Sequence, residues 1–321
     1  MSNVASVEEA ASEQAVPTPP PRRQGRGSRI RRGLAPVPWL APAVILIAVV
    51  VIWPIVTMVQ TSLQRYSSLG ILIGSAGTQN FTALFGDPNL SSILVRTVLW
   101  VVAVVGITML VSLALAQLFN QHFPGRRVTR WALIAPWAAS VMMTALIFRW
   151  MLQPDSGVIN IFLHQLGLVQ YNSAGSSWLG RPDSAMAWMI GVAVFVSLPF
   201  TTYTLLAGLQ AIPGELFEAA RVDGASRWQS YRSITLPLLR PAFLVALVIN
   251  VMNVFNSFPI IWEMTRGGPG YETNTTTVFM YNLKQSFIGE SAAMSIVNFV
   301  IIIVVIIFFL RLNNWNRQEA R

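Results

Sequence analysis

Six stretches of mostly apolar, uncharged residues recur along this chain, at 39–59, 97–119, 131–148, 185–209, 241–262 and 291–310. A helix crossing the roughly 30 Å hydrocarbon layer needs about 20 such residues, so each stretch is long enough to span a bilayer. Backbone amides in lipid must be satisfied internally, which leaves helices as the fold for stretches of this kind. The chain is therefore predicted to be an all-α membrane protein built as a six-transmembrane-helix bundle. Composition agrees: of 321 residues 54% are hydrophobic and only 11% charged, against the roughly 25% charged of soluble domains. The absence of cysteine excludes disulfides, thiolate metal sites and cysteine nucleophiles. With 13 acidic residues and 2 histidines, both isolated in loops (His122 and His164), no metal site and no catalytic centre is expected.

Pro54, Pro136, Pro199 and Pro259 fall within these stretches and are read as kinks and not as ends, because neighbouring helices can satisfy the freed carbonyls. The net charge of +9 is distributed as a membrane protein requires and not as a nucleic-acid surface. With the N-terminus inside, one side of the membrane holds Arg22, Arg23, Arg26, Arg29, Arg31, Arg32, Arg126, Arg127, Arg130, Arg221, Arg227, Arg232, Arg240, Arg311, Arg317 and Arg321. The other side keeps only Arg65, Arg96, Arg149, Arg181, Arg266 and Lys284. Both termini are thus predicted to be cytoplasmic in a multi-pass cell-membrane protein. Residues 1–35, with a proline cluster and an Arg/Gly run, cannot bury enough apolar surface to fold alone and are read as a disordered basic tail. The transmembrane bundle occupies 36–311, and 312–321 form a short cytoplasmic tail.

The long cytoplasmic segment 211–240 has definite local structure. Pro213 and Gly214 precede a short helix over 215–222, with Glu215 and Glu218 near its positive end. Asp223 and Gly224 stop it, Gly224 being free to adopt the left-handed conformation of a helix end. Ser226 with Gln229 three residues on is a capping-box pattern that opens a second short helix. Pro237 is expected to mark a turn into the fifth span. Gly224 and the small Ala219 and Ala220 leave an outer face that another protein can approach closely, although a plain hairpin lying on the membrane has the same pattern.

The order Glu218, Ala219, Ala220, three residues, Gly224, nine residues, Ile234, one residue, Leu236 and Pro237 resembles the EAA loop of permease subunits in binding-protein-dependent ABC importers. Leu198, Pro199 and Phe200, the run Leu206, Ala207, Gly208, Leu209 and Gln210, Ile212 with Pro213, and Asp223, Gly224 and Ala225 are similar to the carbohydrate branch, of the maltose and glycerol-phosphate type. So are Arg149 and Trp150 with Pro154 and Gly157, and Gly267, Gly268, Pro269 and Gly270. The resemblance covers about residues 36–311. It implies a six-helix core paired with a second permease subunit, a dimeric ATP-binding cassette ATPase and an extracytoplasmic solute-binding protein. It also implies that Glu218, Ala219, Ala220, Asp223, Gly224, Ile234, Leu236 and Pro237 couple to the ATPase. The chain departs from its branch at Asn256, where an acidic residue often follows the phenylalanine, and at Phe195, where tryptophan is frequent. ATP binding belongs to the partner: no GxxxxGK[ST] loop occurs, and the one lysine, Lys284, falls on the outer side.

Polar groups within a span are costly and face a bundle interior or an aqueous cavity. Asn250, Asn253 and Ser257, with Asn256 beside them, follow helical spacing on the fifth span. They either bond across helices or line a route whose amides bind solute hydroxyls, as the same helix does in sugar permeases. Trp39, Trp131, Trp150 and Trp262 sit at span ends as an aromatic belt. Val158, Ile159, Phe162, Leu163 and Leu166 are spaced for an amphipathic helix on the outer face, and Asp87 with Pro88 and 267–270 read as turns. The cargo expected is a sugar, oligosaccharide or polyol; glycerol phosphate or another non-sugar solute is the alternative, and an ion-driven carrier would need intramembrane carboxylates that the six spans lack.

Overall fold

A computed structural model of the chain describes residues 37–170 and 175–318. The basic tail at 1–35 lies outside them. The chain divides into two units, 1–55 and 56–321. In the first, α1 (Val37–Ile47) passes into a π-helical turn at Ala48–Ile52. The second unit carries the packed bundle.

Along the chain, α2 (Trp53–Ser62) is followed by a small antiparallel hairpin, β1 (Gln64–Tyr66) and β2 (Leu72–Ser75), that the spacing did not announce. Next come α3 (Gln79–Phe85), α4 (Leu90–Asn120), α5 (Arg126–Ile134), α6 (Val141–Met151), α7 (Val158–Gln165) and α8 (Pro182–Gln210). The remaining helices are α9 (Gly214–Val222), α10 (Arg227–Ser230), α11 (Leu236–Phe255), α12 (Phe258–Thr265), α13 (Thr276–Lys284) and α14 (Ile288–Gln318).

Among the described residues five helical runs are long and apolar enough to cross a membrane: Trp39–Ser62, Leu90–Asn120, Pro182–Gln210, Arg227–Thr265, which is interrupted at 256–257, and Ile288–Arg311. The third expected span is not a single helix. α5 ends at Ile134, a 3₁₀ turn occupies Ala135–Ala138, and Ser140 starts α6 by accepting the Met143 N–H at 3.2 Å. Pro136 supplies no N–H to continue the first ladder, and the Ser140 cap begins a new one. The last helix passes unbroken through the expected boundary at 311 and reaches Gln318.

Prolines elsewhere act as the membrane setting allows. α8 and α11 run on through Pro199 and Pro241. Two prolines are preceded by widened turns: Trp53 N–H bonds back to Ala48 O just before Pro54, and Leu236 N–H to Tyr231 O just before Pro237. Each π turn moves aside the carbonyl that the ring would strike four residues back. Pro237 therefore does not turn the chain; α10 continues through the π segment Tyr231–Thr235 into α11.

The core of the larger unit is built where α4 and α8 pack along one another and α11 covers both. Trp100, Val104 and Met109 meet Met189, Val192 and Leu205, with Ala246 and Val254 from α11 and Ile260 and Ile261 from α12. A second cluster joins Leu84, Leu90, Ile93, Phe279 and Met294 under α13 and α14. Association of helices in lipid relies on close backbone approach at small residues. Gly208 is such a place: a Cβ there would lie 2.4 Å from Ala242 Cβ and 2.9 Å from Leu239 Cδ1. Gly208→Val is expected to lower stability by about 1–3 kcal/mol by forcing α8 and α11 apart. Gly191→Ala, in the same helix with open space around it, is expected to be neutral. Denaturant titration of both variants in detergent checks the pair.

Candidate functional site

Two regions bring together the residues singled out by sequence. The first is the helix pair α9 and α10. α9 is closed by a pair of hydrogen bonds: the Ala225 N–H donates to Ala220 O at 2.9 Å and the Gly224 N–H to Arg221 O at 3.1 Å. This arrangement requires a left-handed residue, and Gly224 has φ +76°. The capping box forms in both directions, with Ser226 N–H donating to Gln229 Oε1 at 2.7 Å and Gln229 N–H to Ser226 Oγ at 3.3 Å. Gln117 Nε2 of α4 donates to the Tyr231 hydroxyl at 2.6 Å, and the Tyr231 ring lies 5.8 Å from that of Trp228. The pair is thus geometrically fixed and tied to the bundle.

Its outer surface is nevertheless open. No residue of α9 or α10 is buried, and Val222 and Trp228 are 88% and 67% exposed. Glu218, Ala219, Asp223, Gly224, Leu236 and Pro237 are exposed, while Ala220 and Ile234 are half-buried. Space around a Cβ at Gly224 is free, so the demand for glycine there comes from the backbone angle and not from crowding within this chain.

The second region is the break between α11 and α12. Pro259 does not kink a continuous α-helix; it stands in the first turn of a new one, after an unwound step at Asn256 and Ser257. The Phe258 N–H turns to Asn256 O at 2.8 Å, leaving Val254 O to accept the Ser257 N–H at 3.2 Å and the buried Trp100 Nε1–H at 3.1 Å. At the far end of α12 an Arg149 guanidinium nitrogen donates to Glu263 O at 3.1 Å. Phe258, Trp262 and Tyr281 form an aromatic group with centroids 4.6–5.5 Å apart.

This break divides the polar row. Asn250 is buried at 2% exposure with its Nδ2 unpartnered; Asn253 and Asn256 are exposed, and Ser257 is half-buried. Asn256 donates to Met252 O at 3.0 Å and caps α11. The four do not share one environment: Asn250 and Asn253 differ although both lie within α11, and Ser257 stands past its end. Buried hydroxyls at Thr108, Ser112 and Thr202, without partners among the described residues, add polar groups to α4 and α8.

Outside the spans, α7 forms where its apolar spacing predicts. Val158, Phe162 and Leu166 are exposed, whereas Asn160 faces inward, donating to Gln153 O at 2.8 Å and Ser176 O at 3.0 Å and accepting from Trp178 Nε1 at 2.7 Å. Arg96 donates to Tyr271 O at 3.1 Å in the glycine-rich turn, and Gly267, at φ +86°, leaves room that a Cβ would fill against Asn274. A 580 Å³ cleft opens beside this turn, lined by Asp87, Asn89, Arg266 and Gly268 among others. Among the described residues no cluster of metal-ligating side chains occurs.

Residues 108–321 match the family described as "Binding-protein-dependent transport system inner membrane component". The chain belongs to this family. As a member it is a multi-pass inner-membrane permease component of ABC transporters. Over 276 residues it is 34% identical to the sulfoquinovosyl glycerol transport system permease protein SmoG of Agrobacterium fabrum, covering 85% of this chain and 88% of that one. The trehalose/maltose transport system permease protein MalF of Thermococcus litoralis is 35% identical over 215 residues, 67% of this permease and 71% of the relative. The fold is similar to that of a chain in the crystal structure of a bacterial ABC transporter that imports the acidic polysaccharide alginate, with TM-score 0.75 and 23% identity, covering 92% of this permease and 99% of that chain.

The Trp100 bond gives a direct check on the break. Trp100→Phe removes one donor from Val254 O and is expected to cost about 0.5–1.5 kcal/mol for the bond, plus the lost ring volume. Hydrogen exchange at 256–258 should accelerate in that variant while the rest of α11 keeps its protection.

Proposed function

We propose that this chain is one of two permease subunits of an ABC importer for a carbohydrate or polyol, driven through α9 and α10 by a cytoplasmic ATPase dimer. The observation that carries the reading is a helix pair rigid in itself, tied to α4 through Gln117 and Tyr231, and exposed along its whole outer surface. A packed element of that kind passes rigid-body motion on, because packed interfaces shift between discrete arrangements. Ala219 and Ala220 permit close approach of the ATPase, Glu218 meets basic groups there, and Gly224 holds the turn. Asp223 ends α9, while Ile234, Leu236 and Pro237 carry the displacement into α11. ATP is bound by the partner, and this chain needs no cofactor.

The pathway is assigned to the α11–α12 break. Exposed amides in an apolar span are costly against lipid, and unwound backbone at membrane depth is tolerated where it lines a cavity. Asn253 and Asn256 therefore face the route between the two permeases and bind solute hydroxyls, with Asn250 and Ser257 beside them. The carbohydrate class rests on the relatives' cargoes and on amides suited to hydroxyls; a solute-binding protein delivers the solute from outside, with both termini of this chain in the cytoplasm. Ligand screening of that receptor separates sugar from glycerol phosphate.

Ala219→Leu tests the coupling. The residue is exposed, so the subunit is expected to insert and assemble at normal levels while ATP-driven uptake falls about 5- to 150-fold, the effect of 1–3 kcal/mol of overpacking at the interface. Gly224→Asn, which tolerates the left-handed angle, should retain more uptake than Gly224→Val. Normal uptake in Ala219→Leu removes α9 from the coupling interface.

A further inference from the structure

A cleft of 480 Å³ opens between α5 and α8, lined by Arg126, Arg127, Arg130, Trp131, Ile134 and Tyr203 and by no acidic side chain. Gly125, at φ +85°, turns the chain so that α5 begins directly with two arginines. The floor is anchored. A terminal nitrogen of Arg130 donates to Phe119 O at 2.8 Å in the last turn of α4, and the Tyr203 hydroxyl donates to Arg130 O at 3.3 Å. Yet the Nε–H groups of Arg126 and Arg130 are shielded from solvent and have no partner among the described residues. A guanidinium donor withdrawn from water without an acceptor is costly, so these two call for an anion.

We infer that this cleft holds the phosphodiester headgroup of an anionic phospholipid. Guanidinium groups match phosphate oxygens in planar, paired hydrogen bonds, and basic pockets at the cytoplasmic ends of spans suit headgroups. The surroundings select a lipid over a soluble phosphate. Trp131 is 68% exposed and Val128 71%, on the same short helix as the arginines, so an apolar strip lies beside the charge where an acyl chain would run. Arg126 and Arg130 take the phosphate oxygens through Nε, and Arg127, exposed at the rim, supplies attraction.

The test is native mass spectrometry of the full chain released from nanodiscs containing equal amounts of phosphatidylglycerol and phosphatidylcholine. The wild type should retain phosphatidylglycerol over phosphatidylcholine by about tenfold, and R126Q/R127Q should lose that preference. R127Q alone, at an exposed residue, should still lower the preference several-fold if the double variant fails to fold. R240Q, an exposed arginine outside the cleft, should keep it. Equal retention of the two lipids by the wild type, an unchanged preference in R126Q/R127Q and R127Q, or the same loss in R240Q overturns the proposal. Displacement of phosphatidylglycerol by inorganic phosphate at matched ionic strength assigns the cleft to a soluble anion and overturns the lipid assignment.

Discussion

Every peptide group placed in hydrocarbon must find its partner inside the protein, and the architecture of this permease follows from where that requirement is hard to meet. Uninterrupted helices meet it alone. At interruptions the freed carbonyls are taken by side chains from elsewhere in the chain: Trp100 on Val254 O, Arg149 on Glu263 O, Arg130 on Phe119 O and Arg96 on Tyr271 O. Three of these four are arginines that charge counting treats only as markers of a membrane side.

That difference explains what the sequence could and could not reveal. Features set by neighbours a few residues away were legible: the left-handed Gly224, the reciprocal Ser226 and Gln229 cap, the short helix α7, and the spans as apolar runs. Features set by distant partners were not. The unwound step is held at Val254 O by a tryptophan 154 residues from Val254, so Pro259 read locally as a kink and the polar row read as helically spaced. The third span failed for a nearer reason, since apolar length outweighed the joint signal of Pro136 and a capping Ser140. Asn160 was hidden because its partners lie across a loop.

The proposed pathway gives a reason for the interruption. A straight helix at α11–α12 would satisfy the backbone at lower cost, but it would leave no unwound groups at membrane depth of the kind the proposal requires. Likewise α9 and α10 carry exposed Val222 and Trp228, an unfavourable surface unless another protein covers it. α10, with Trp228, and the break at 256–257 both lie on the run Arg227–Thr265, so α11 is the element through which the proposed coupling would reach the break.

Dependence on an external nucleotide-hydrolysing engine is the central claim, and reconstitution tests it most directly. The chain is placed in sealed vesicles alone or with its sister permease, ATPase and receptor, and solute accumulation is followed with either ATP or an ion gradient supplied. Accumulation only in the complete assembly, and only with ATP, is the predicted result. Accumulation by the isolated chain under an ion gradient contradicts it.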